Sequence, residues 1–66
     1  MSLKDDLEFY LPEYEIKELD DCFEITTARK RDNRLVGMQI LKEPALKDNI
    51  LQSSAFIKAA FAKEGV

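Results

Sequence analysis

Two runs of seven residues, Cys22-Phe23-Glu24-Ile25-Thr26-Thr27-Ala28 and Leu35-Val36-Gly37-Met38-Gln39-Ile40-Leu41, flank the polar stretch Lys30-Arg31-Asp32-Asn33-Arg34. The first run is rich in β-branched and aromatic residues, and Asp-Asn tolerates the positive φ that a tight reversal needs. The segment therefore predicts a β-hairpin. Alternation places Phe23, Ile25 and Thr27 on one face of the first strand and Val36, Met38 and Ile40 on one face of the second. If the two sets share a side they form a single apolar surface. Two strands alone are marginal in water, so the rest of the chain must cover that surface and lengthen the sheet.

Before the hairpin, Leu3, Leu7, Tyr10 and Leu11 recur at helical spacing over residues 1–11,. Ser2 suits the N-cap, with Asp5 completing a capping box, and Pro12 ends the helix. Glu13 to Leu19 alternates acids with Tyr14 and Ile16, which predicts a first strand whose outward Glu13, Glu15 and Lys17 protect a sheet edge, followed by a turn at Asp20-Asp21. From Pro44 the period becomes helical. Leu46, Ile50, Ser53, Phe56, Ile57, Ala60 and Phe61 fall on one face, with Phe56, Ile57 and Phe61 as the expected anchors. Lys63 suits the last turn and Gly65 the position just beyond it. Leu51, Ala55 and Ala62 form a thinner stripe roughly opposite. Serine caps helices well, so Ser53-Ser54 leaves two readings, one continuous helix over 44–63 or two helices over 44–52 and 54–63. The predicted fold class is α+β, a two-layer helix, three-stranded antiparallel sheet, helix order (αβββα) with the C-terminal helix packed on the sheet.

At 66 residues the chain reads as one small domain, 1–66, and a domain this size buries only about 60% of its unfolded surface. A single cysteine and no histidine leave neither an intrachain disulfide nor an ordinary Cys/His zinc site to staple it. Either its core is efficient or a partner completes it. No apolar run nears the roughly 18 residues needed to span a bilayer. The N-terminus lacks the order of a signal peptide, so a cytoplasmic location is expected. Residues 1–24 carry net −7 and residues 25–66 net +4, within a total of −3. Such asymmetry suits steering of a charged partner or pairing of two copies.

Acid–base and nucleophilic chemistry most often relies on histidine, which is absent, and Cys22 sits among Asp20, Asp21 and Glu24, which disfavour a thiolate. No catalytic residue, metal site or cofactor is predicted. The constellation that stands out is Arg29-Lys30-Arg31-Asp32-Asn33-Arg34, which holds all three arginines of the chain at the hairpin tip. Guanidinium groups there suit bidentate contact with phosphates or with an acidic protein. The pI of about 4.8 and the absence of interleaved aromatics are unlike most nucleic-acid modules.

Helix, three strands and helix, with Pro12-Glu13-Tyr14 opening the first strand, resembles the order of double-stranded-RNA-binding domains. The likeness covers topology and that fragment. The loop between the first two strands is here only Asp20-Asp21, and Lys42, Glu43, Pro44 and Lys47 stand where that family has a lysine cluster, so the RNA contacts those features make are missing.

The sequence thus predicts a non-catalytic protein-interaction or regulatory module. Its expected state is a homodimer formed through Leu51, Ala55 and Ala62. The alternative is a nucleic-acid-binding domain that contacts phosphates through Arg29, Lys30, Arg31 and Arg34.

Overall fold

The computed structural model describes residues 2–66, Ala45 through its backbone only. The start of the first helix leaves amides that need acceptors. Ser2 Oγ accepts the Asp5 N–H at 3.2 Å, while the Ser2 N–H donates to Asp5 Oδ2 at 3.5 Å. This reciprocal capping box opens helix α1, Leu3–Tyr10,. The Leu11 N–H closes it on the Leu7 carbonyl at 2.9 Å, and Pro12 follows as expected. Residue 1 of the expected helix lies outside the described residues.

Three strands form one antiparallel sheet in the order β1 (Glu15–Glu18), β2 (Cys22–Ala28), β3 (Leu35–Leu41). In register, Ile16 faces Ile25, Phe23 faces Ile40, Ile25 faces Met38 and Thr27 faces Val36. The two apolar sets of the hairpin therefore do share one side. β1 is shorter than the predicted 13–19. Glu13 and Tyr14 belong to the turn after Pro12, where the Tyr14 N–H bonds the Leu11 carbonyl at 3.2 Å. At its other end the Leu19 N–H bonds the Cys22 carbonyl at 2.9 Å, closing the turn at Asp20-Asp21.

After β3 comes a short helical turn, Lys42–Leu46, which contains the non-helical Glu43 and a cis bond between Glu43 and Pro44. Helix α2, Ile50–Lys63, then follows. The C-terminal helix is divided, but not where the sequence suggested. The break falls at Asn49, with φ −151° and ψ 76°, and its side chain accepts the Gln52 N–H at 3.2 Å. Asparagine is as good a cap as serine, and here it takes the orphan amide. The helix runs unbroken through Ser53 and Ser54. Its end is a Schellman closure, in which Gly65, at φ 88°, bonds Ala62 at 3.1 Å and Val66 bonds Phe61 at 3.2 Å,.

Leu7 from α1 and Leu11 just after it, Ile16, Phe23 and Ile25 from the sheet, Leu46, and Ile57 and Phe61 from α2 make the buried core. Phe56 corrects the prediction, since it is 69% exposed rather than an anchor. The buried stripe of α2 instead follows Ser54, Ile57 and Phe61, with Ile50 half-buried beside it. The helix rotates to bring Phe61 onto Tyr14, ring centroids 5.0 Å apart, and that rotation carries Phe56 to the flank. Both helices lie on one face of the sheet, with α1 on the β1 side and alongside α2. Lys42 closes the end of the core, its ammonium 5.2 Å from the centre of the Phe23 ring and 2.8 Å from Glu18 Oε2,.

Candidate interaction surfaces

The hairpin tip is built around Asp32. A reversal needs one residue in the left-handed region, and Asn33 takes it at φ 58°,. The Arg29 N–H bonds the Arg34 carbonyl at 2.7 Å, and the Asn33 N–H bonds the Arg29 carbonyl at 2.8 Å. Asp32 Oδ1 accepts the Arg34 N–H at 3.2 Å and Arg29 Nε at 2.9 Å, while Oδ2 accepts Arg29 Nη2 at 2.7 Å. These bonds from Arg29, then from the Arg34 amide, hold the Asp32 carboxyl below its usual range, and the same pairing with Asp32 raises Arg29.

Of the four basic residues predicted to bind a partner, Arg29 is thus engaged as a structural strut. A Cβ on Gly65 would lie 3.4 Å from Arg29 Cδ, so the arginine stem also rests against the end of α2. Lys30, Arg31 and Arg34 are exposed, Arg34 with 80% of its side chain in solvent. The fold adds a residue that sequence reasoning missed. Lys63 shares a surface groove with Arg29, Arg31, Glu64 and Gly65. Nothing in the local sequence signals this meeting of a helix end and a hairpin tip.

A second surface is apolar. Phe9, Leu35, Leu41, Leu51 and Phe56 are each more than three-fifths exposed. Leu51, Ala55 and Ala62, the predicted dimer contacts, all lie on the exposed side of α2. Phe9, which meets Tyr10 edge-on at 5.2 Å, lines a groove with Ile50 at the seam between the helices. Phe56 stands on the opposite flank of α2. Leu35 and Leu41 lie at the two ends of β3, on the sheet face that carries no helix.

Cys22 opens β2 on that same bare face, half-buried. Partial burial raises its thiol pKa, Asp21 and Glu24 add to the rise, and Lys42 opposes it. The environment keeps the thiol protonated and a poor nucleophile.

Compared with family models, curated proteins and solved structures, the chain matches none. Among the described residues no helix is long and apolar enough to cross a membrane.

Proposed function

We propose that this chain is a non-catalytic protein-interaction module that works as a homodimer. One observation carries the reading, which is that the apolar layer of this small domain reaches its surface unfinished. Val36, Met38 and Ile40 are only half-buried, and among the described residues five large apolar side chains stand in solvent. A chain of this size is thin in stability, and association is the usual means of burying such area. Molecular mass by light scattering over a range of concentrations tests it. The expected result is a mass that rises to twice that of the chain, and a monomer mass throughout overturns the reading. The flank of Leu51, Ala55 and Ala62, extended by Phe9, is one candidate contact. Leu51→Glu returns a monomer if this flank is the interface, and an unchanged mass removes it.

A second reading, nucleic-acid binding at the hairpin tip, draws on the exposure of Lys30, Arg31 and Arg34 and on the approach of Lys63. Three exposed tip cations correspond to a slope of log K against log salt of about −2.7. Binding to a random duplex that weakens with that slope, and is lost in Arg31→Ala/Arg34→Ala, is the expected signature. Salt-independent binding, or none, rules it out.

A further inference from the structure

The two edges of the sheet are unlike. β1 is 4 residues long, and Glu15, Lys17 and Glu18 give it the charge that discourages further strand pairing. β3 is 7 residues long, has neither charge nor proline, and among the described residues pairs only with β2. Bonds from the Lys42 N–H to the Asp21 carbonyl (3.0 Å) and from the Arg29 N–H to the Arg34 carbonyl (2.7 Å) bracket the β2–β3 ladder. They set its alternation, because hydrogen-bonded and non-bonded pairs succeed one another in an antiparallel ladder. In the observed register, Val36, Met38 and Ile40 turn their N–H and C=O groups toward β2. Leu35, Gly37, Gln39 and Leu41 turn theirs to the free edge, and all four residues are exposed.

The side chains along this edge are as incomplete as its backbone. Val36, Met38 and Ile40 carry the core layer outward and remain half-buried. Above them, one flank of α2 looks away from α1. Lys58 shares a groove with Leu11, Pro12, Glu13 and Tyr14 on the α1 side. At 3.6 residues per turn Phe56 lies about 160° around the helix from Lys58, toward the β3 side.

We propose that a second copy of this chain adds its β3 antiparallel to this edge, joining two three-stranded sheets into one. The inference rests on the self-association reading and names its contact. The occupant is a second copy because the strand is complementary to itself when reversed. With Met38 opposite Met38 of the second copy, Leu35 meets Leu41, Val36 meets Ile40, and Gly37 leaves room for Gln39. All seven residues pair, and the four with outward-facing backbone fall in hydrogen-bonded pairs. The exposed leucines cover one another on the bare face, while Val36, Met38 and Ile40 of both copies continue the core layer beneath the two Phe56 rings. At the ends Arg34 lies across from Lys42. Each already has a carboxylate nearby, Asp32 at 4.0 Å and Glu18 at 2.8 Å, which offsets their repulsion.

Amide hydrogen exchange, read alongside mass at several concentrations, tests the contact. In the intact protein the amides of Leu35, Gly37, Gln39 and Leu41 should gain protection as the dimer forms, whereas those of Val36, Met38 and Ile40 stay protected at every concentration. Gln39→Pro removes an outward donor without touching the β2 ladder, since an edge strand accepts proline where its N–H faces solvent. It should give a folded monomer. If proline disturbs the strand, Leu35→Lys/Leu41→Lys alters only exposed side chains and should also give a monomer, while Leu51→Glu should leave the dimer intact. A dimer that survives the edge variants, with the four amides exchanging freely, overturns this contact and leaves self-association standing at another surface. A protein that is monomeric at all concentrations overturns both, and leaves the edge to a strand from some other protein.

Discussion

Single side chains show how little slack a chain of this size has. Ser54 is 2% exposed in the middle of α2, and among the described residues its Oγ has no hydrogen-bond partner. A buried hydroxyl without a partner costs about 1–3 kcal/mol, and alanine is the better helix former. Ser54→Ala should therefore raise stability by about 1 kcal/mol, seen as a higher urea midpoint at unchanged slope. A lower midpoint would mean that the hydroxyl does have a partner. Asp32 is the opposite case, a carboxylate with three donors. Its pKa is depressed in the fold. The order it lends the hairpin tip is therefore whole above the ordinary carboxylate pKa of about 4 and is lost as pH falls through its own lower value. Chemical shifts of the Arg29 Nε–H and the Arg34 amide should hold steady down to the ordinary carboxylate pKa of about 4 and move only below it. Movement at or above that pH would show that Arg29 does not grip Asp32.

Among elements, the contrast between α1 and α2 is instructive. The capping box and apolar spacing of α1 are both local, and the helix forms where they indicate. α2 has more apolar residues than one face can bury, so packing selects among them. Phe61 is buried against Tyr14, while Phe56 stands in solvent. Phe61→Ala should then cost about 3–5 kcal/mol, enough to unfold much of a domain this small, whereas Phe56→Ala should leave monomer stability within about 0.5 kcal/mol. Thermal melts of the two variants at low concentration check the difference. Equal losses would restore Phe56 to the core. The hairpin was legible because its information is short-range. Two alternating runs and a turn with Asp-Asn fix register within about twenty residues, and the strands begin and end at the predicted positions.

For the whole molecule, a core of eight buried apolar side chains among the described residues is a small reserve against the conformational entropy of the chain. If the dimer supplies the remainder, the melting temperature must rise with protein concentration, because a second copy that binds only the folded state stabilises it by mass action. A melting temperature independent of concentration would separate folding from association. The candidate sites were less legible than the fold. The basic tip was visible as a cluster of arginines, but its internal neutralisation by Asp32 and its junction with Lys63 depend on three-dimensional placement. The open edge of β3 was present in the sequence as seven uncharged residues, yet its meaning requires knowing that β3 lies outermost.

By itself the sequence determined the order of elements, the faces of the hairpin, the cap of α1 and the close of α2 at Gly65, because each depends on neighbours within a few residues along the chain. Only the tertiary structure decided where the C-terminal helix breaks, which of its faces is buried, and which sheet edge is left bare. Those choices are settled by competition among distant groups for a limited buried volume. Several local solutions were acceptable, and packing against Tyr14, Phe23 and Leu7 selected one.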